Sequence, residues 1–188
     1  MISLAKVATA AATVILMTAA AQISSAQLAP ITPIASLDLQ RYQGTWYEIA
    51  KYPNRFQAMC VKSTSAQYAI QASGTVTVTN SCTDKTGATT TAIGEARLIG
   101  ADKNPQSATL QVRFAPAWLS WLPFVWGDYW VVAIDPQYQW SIVSEPKREF
   151  LWVLSRSKQL DATAWAAIEA QIKRAGLDLS KLEKTIQD

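Results

Sequence analysis

The chain has no histidine anywhere in its 188 residues. That removes the usual base for activating a serine or thiol nucleophile, and with it the commonest protein ligand for zinc. Cysteine is restricted to Cys60 and Cys82. Charge of either sign is missing between Lys6 and Asp38. Repeats, low-complexity segments and any sign of a second domain are absent as well. Without Lys6 the 17 basic residues become 16 against 14 acidic ones, a net charge of +2. Such a balance does not call for nucleic acid as a partner.

The uncharged start has a recognisable logic. Val7 to Ala21 is an Ala-rich apolar run containing Val14, Ile15, Leu16 and Met17, and Ser24-Ser25-Ala26 supplies small residues where a signal peptidase reads. Residues 1–26 are expected to be a secretory signal peptide, cut after Ala26 or, in the alternative, after Ala21. A membrane anchor is the other reading, but the run is short for a span. A lipoprotein needs a cysteine directly after the cleavage site, and the first cysteine is Cys60. The expected protein is therefore periplasmic or secreted, without a lipid anchor, outer-membrane association staying open. Residues 27–36, with Pro30 and Pro33, read as an extended tether. Residues 37–188 form the domain. In an oxidising compartment Cys60 and Cys82 pair by default; the alternative is one reactive thiol.

The domain opens on a helical turn and continues as a succession of short strands. The chain turns helical at Asp38-Leu39-Gln40-Arg41-Tyr42 and then runs from Gly44 into a first strand, with Trp46, Glu48 and Ala50 on one face by the two-residue period. Asp38 can cap the turn. Further strands are expected at 61–70, 75–82, 89–99, 108–114, 128–134, 139–144 and 150–155, separated by turns rich in Gly, Pro, Asp and Asn. Eight sequential strands with short connections fit an all-β, up-and-down antiparallel barrel with room for one small ligand; a β-sandwich is the rival. After Leu160 the period changes. Asp161 as N-cap, Trp165, Ile168 and Ile172 on one face, and Gly176 as terminator predict one amphipathic helix packed outside the barrel.

These residues resemble the lipocalin family, in particular the bacterial outer-membrane lipocalins and apolipoprotein D. The first signature is Gly44-Thr45-Trp46-Tyr47-Glu48 after a helical turn. The second is Asp135 with Tyr138 in the turn between the sixth and seventh strands. The third is Arg156, ending Phe150-Leu151-Trp152-Val153-Leu154-Ser155-Arg156. The resemblance covers roughly residues 37 to 182. It implies that Trp46 and Arg156 meet at the closed end of the barrel as a structural cation–π pair. It also implies a carrier of small hydrophobic ligands, such as fatty acids or lysophospholipids, in the cell envelope, with no cofactor and no catalysis.

Counting in twos from the signatures places Glu48, Ala50 and Tyr52 inside on the first strand, and Phe150, Trp152 and Leu154 inside on the last. Ligand-contacting positions in similar lipocalins add Tyr42, Tyr68, Asn80, Phe114, Tyr129 and Val131. The alternative is that these aromatics fill a closed core. Glu48 is costly to bury alone; its candidate partners are Arg156, Lys62, Arg113 or a ligand headgroup. Alternatives from other classes are an enzyme acting on a bound lipid, with Glu48 or Asp128 as base, and a protein that docks partners. Docking draws attention to residues 115–127, an uncharged connection carrying Trp118, Trp121, Phe124 and Trp126. In a barrel this connection lies at the open mouth, where it is expected to serve as a lid that touches membrane. A loop folded back over the mouth, or a homodimer contact, are the other readings.

Overall fold

The computed structural model describes residues 29–101 and 103–188; the expected signal peptide lies outside them. A single turn of helix, α1 (Leu39–Tyr42), leads into β1 (Gly44–Lys51). Then come β2 (Cys60–Ile70), β3 (Val76–Asp84), β4 (Thr89–Leu98), β5 (Thr109–Arg113), β6 (Gly127–Ile134), β7 (Trp140–Ser144) and β8 (Leu151–Ser155). Helix α2 (Ala162–Arg174) and a two-residue strand, β9 (Glu183–Lys184), complete the order. Each of β2 to β7 pairs antiparallel with the next, β8 pairs with β1, and β1 pairs with β2. The sheet is therefore a closed barrel and not a sandwich.

The two-residue period sorts apolar side chains into two cores. Inside the barrel, Trp46, Ala66, Tyr68, Val76, Val78, Leu110, Val131, Val143 and Leu154 pack together under Leu37 and Tyr42. Outside it, Ile49, Tyr52, Ile142, Leu151 and Val153 pack against Ile168 and Ile172 of α2. Asp161 caps α2 through the Ala164 amide at 2.8 Å, and Gly176, at φ +68°, ends it. The segment before Leu37 is extended but lies against the barrel. Ile31 is buried, the Ile34 amide donates to the Val131 carbonyl at 2.8 Å, and Arg148 donates to the Ala29 carbonyl.

Two departures from regular alternation matter for the site. The register of β1 against β8 shifts between Glu48 and Ala50, so Glu48 stands opposite Leu154 while Ala50 stands opposite Val153. This bulge reverses the facing of everything after it. Ala50 and Tyr52, expected inside, belong to the outer core. Lys51 takes the inward position instead, beside Glu48. The second departure is β9, which joins the edge of β1 near the mouth.

Candidate functional site: the barrel interior and its mouth

The base is closed by the three sequence signatures acting together. α1 ends with carbonyls that have no helical partner. Arg156 donates to those of Arg41 at 2.7 Å, Tyr42 at 3.2 Å and Gln43 at 2.9 Å, and to that of Thr45 at 2.8 Å. The same guanidinium lies 3.8 Å over the Trp46 ring, whose Nε1 donates to the Tyr42 carbonyl at 2.7 Å. Gly44 sits at φ +92°, and a Cβ there would stand 3.4 Å from Arg156 Nη1. Asp135 Oδ2 holds the next turn through the amides of Gln137 at 3.0 Å and Gln139 at 3.1 Å. Tyr138, at φ 61°, accepts the Asp38 amide on its hydroxyl at 3.0 Å and packs under Arg41 at 4.0 Å. Gly44, Trp46, Asp135, Tyr138 and Arg156 thus form one structural assembly.

Above the base three phenols share hydrogen bonds. The Tyr129 hydroxyl lies 2.8 Å from those of Tyr42 and Tyr68, and Tyr42 reaches Ser141 Oγ at 3.3 Å. Burial raises all three phenols above their ordinary range. Beside them lies a cavity of about 10 Å³, bounded among others by Leu39, Tyr68, Val76, Leu110 and Val112. It has the size of about one water and is lined by apolar atoms. Val131 and Leu154 belong to the same packed layer. Around the base the interior is packed by these side chains, with the small cavity among them.

The mouth half differs. Asn80 is half-buried opposite Ala66 and Ala92. Phe114 remains 43% exposed although its ring lies against Gly94, where an added Cβ would come within 2.7 Å of it. Trp152 Nε1 donates to Gln57 Oε1 at 2.9 Å, and Phe150 stacks on Trp152 with centroids 5.8 Å apart. Glu48, 2% exposed, pairs with none of the three expected cations. Its partners are Lys51 at 3.4 Å, the Gln57 amide and the Thr185 hydroxyl at 2.6 Å. Parity hides Lys51, and the others lie in a loop and far along the chain. The adjacent apolar pair Ile49-Ala50 is the one signal in the sequence that alternation breaks there.

Cys60 and Cys82 form a disulfide tying β2 to β3 near the mouth, which removes the thiol nucleophile. The four aromatic side chains of the 115–127 connection differ sharply in burial. Trp126 is 9% exposed and lies on the outer wall, under Arg97 at 3.9 Å and Arg113 at 5.1 Å. Its Nε1 donates to the Ser120 carbonyl at 2.7 Å. Arg113 in turn pairs with Glu95 at 3.5 Å. Trp126 is the anchor of the loop. Trp118 and Phe124 lie on two short 3₁₀ turns and Trp121 on the turn between them, and all three stand in solvent at 74%, 79% and 76% exposure respectively.

A closed up-and-down barrel sealed by a tryptophan–arginine base, with a helix on its outer wall, is the architecture of the lipocalin fold. The sequence model of the lipocalin-like domain matches residues 37–187. Temperature-induced lipocalin-1 of Arabidopsis thaliana is 39% identical over 157 residues, covering 82% of this chain and 81% of that protein. The outer membrane lipoprotein Blc of Escherichia coli K12 is 34% identical over 152 residues, covering 80% of each. Insecticyanin from the tobacco hornworm Manduca sexta has the same fold, with a TM-score of 0.63 at 22% identity over 82% of this chain and 83% of that one. The chain belongs to the lipocalin family.

Proposed function

We propose that this protein binds one elongated hydrophobic ligand, of the fatty acid or lysophospholipid class, in the mouth half of its barrel and exchanges it with a membrane surface. The observation that carries the reading is the distribution of exposed apolar side chains. Of ten large hydrophobics exposed among the described residues, seven sit at one end: Phe56, Met59, Val61, Phe114, Trp118, Trp121 and Phe124. They belong to the β1–β2 and β5–β6 connections and the strand ends beside them. An apolar rim around an opening is what a lipid donor surface would wet. The β1–β2 connection joins the loop singled out by sequence as a second element of this rim.

Below the mouth, Phe114 and Trp152 swing aside for the ligand body. The apolar cavity near Tyr68 takes no more than the end of a chain. Each methylene buried contributes about 0.8 kcal/mol, so a dozen would contribute roughly 10 kcal/mol before ordering costs. Glu48, held by Lys51, Gln57 and Thr185, serves to hold the mouth. Secretion by a cleaved signal peptide would place the protein in the periplasm or outside the cell, where lipid must cross water between membranes. Family membership supports ligand carriage, and a relative that is an outer membrane lipoprotein supports an envelope setting.

Titration with a fluorescent polyene fatty acid tests the ligand class. Stoichiometric quenching of tryptophan emission, reduced at least tenfold in apparent affinity by Phe114→Lys, is expected. No binding by the wild-type protein would refute the reading.

A further inference from the structure

The barrel wall contains a seam. β1 and β2 pair only over Gly44–Tyr47 against Ser65–Tyr68. Nearer the mouth β2 shifts register twice, and Ser63 adopts φ 53°. Residues 183–188 run into this gap, antiparallel to β1. Glu183 and Lys184 pair with Lys51 and Ala50. The Thr185 amide donates to the Ile49 carbonyl at 2.9 Å, and the Ser63 amide donates to the Ile186 carbonyl at 2.7 Å. Gln187 Nε2 bridges the two walls, donating to the carbonyls of Glu48 and Thr64, both at 2.7 Å. Asp188 is held by Lys62 and Lys158.

We propose that this seam is a slot for an extended peptide strand, filled in cis by residues 183–188, and that withdrawal of the strand opens a lateral entrance to the barrel beside Glu48. The strand is held by polar contacts and by one cation–π contact, Lys184 over the Trp165 ring at 4.9 Å. Thr185 and Gln187 are part-buried and the other residues from Glu183 to Asp188 are exposed, and its one large apolar side chain, Ile186, is 62% exposed. A segment without apolar burial comes away at far lower cost than the ladders beside it. The fit is also incomplete: Thr64 Oγ1 and Gln187 Oε1 are buried there without a partner, which weakens the docked state. Yet the strand covers something that matters. Thr185 is one of three groups on the Glu48 carboxylate, so its departure brings water to an inward-facing charge. The slot reads its occupant through Thr185, Gln187 and Asp188, two residues apart at the first step and adjacent at the second. The entrance half of the proposal rests on the lipid-carrier reading; the slot half does not.

Hydrogen exchange on the intact protein, followed by mass spectrometry, tests the slot. The amides of Ser63 and Thr185 are expected to exchange together, at least 100-fold faster than those of the Gly44–Tyr47 ladder. Equal protection would overturn the proposal, because the strand would then open only with the whole barrel. The full chain carrying Thr185→Ala and Gln187→Ala tests the entrance. Its uptake of a fluorescent fatty acid should be at least fivefold faster than wild type. Millimolar synthetic peptide Leu-Glu-Lys-Thr-Ile-Gln-Asp, but not a scrambled one, should restore the slower rate, since the tethered strand acts at a local concentration of that order. Unchanged uptake, or rescue by the scrambled peptide, would overturn the entrance. If neither protein binds the fatty acid, the carrier reading fails and the exchange data alone decide the slot.

Discussion

Arg156 shows how one side chain can hold an end of a barrel. It meets four carbonyls and one indole face, a fan that only a planar, multiply donating cation can span. Arg156→Ala should lower stability by about 2–3 kcal/mol, given the usual worth of charged hydrogen bonds at a half-exposed site. Arg156→Lys should recover less than half of that loss, read as urea midpoints. The tyrosine cluster gives a second expectation. Burial raises the pKa values of Tyr42, Tyr68 and Tyr129, so below about pH 10 both folded and unfolded states keep these protons. Above that pH the unfolded chain releases protons the native protein retains, and stability falls as pH rises. Absorbance at 295 nm should show these three phenols ionising only as the barrel unfolds; their ionisation in a still-folded protein would contradict the packing described for the base.

At the level of elements, the sequence is informative where one period runs unbroken. The ends of β1 to β8 fall within two residues of where alternation and turn residues put them, and α2 keeps to its apolar stripe. Ile172→Ala should therefore cost about 3 kcal/mol, as a filled core position does, without disturbing the barrel's ligand site. Legibility stops at the bulge. One extra residue near Ile49 moves Ala50 and Tyr52 to the outer core, because facing depends on counting and a bulge resets the count. The 115–127 connection is opaque for a related reason. Its tryptophans are alike in sequence, but Trp126 alone lies within reach of Arg97 and Arg113, which come from two other strands. Trp126→Ala should free this loop and raise its hydrogen exchange, whereas Trp118→Ser with Trp121→Ser should leave stability unchanged. That double variant should instead lose at least fivefold in co-flotation with lipid vesicles; undiminished flotation would remove the membrane role and leave the exposed rings as a contact between copies, visible by sizing.

For the molecule as a whole, the division between a sealed base and an apolar mouth is the feature on which the proposed function rests. The three signatures are legible because each is local in sequence, and their meeting is a consequence of barrel closure. How much of the interior is filled is not legible, since it depends on how Leu39, Tyr68, Tyr129 and Phe114 pack across strands distant in the chain. The packed base, with its 10 Å³ cavity, is why the proposed ligand is placed in the mouth half. The Cys60–Cys82 disulfide, spanning 22 residues, should contribute roughly 3 kcal/mol at that same rim. Native mass spectrometry of the protein, isolated without detergent and then subjected to lipid extraction, tests the carrier account most directly. A stoichiometric adduct that extracts as a fatty acid or lysophospholipid is expected. A bare protein that also leaves added fatty acid unbound would contradict it.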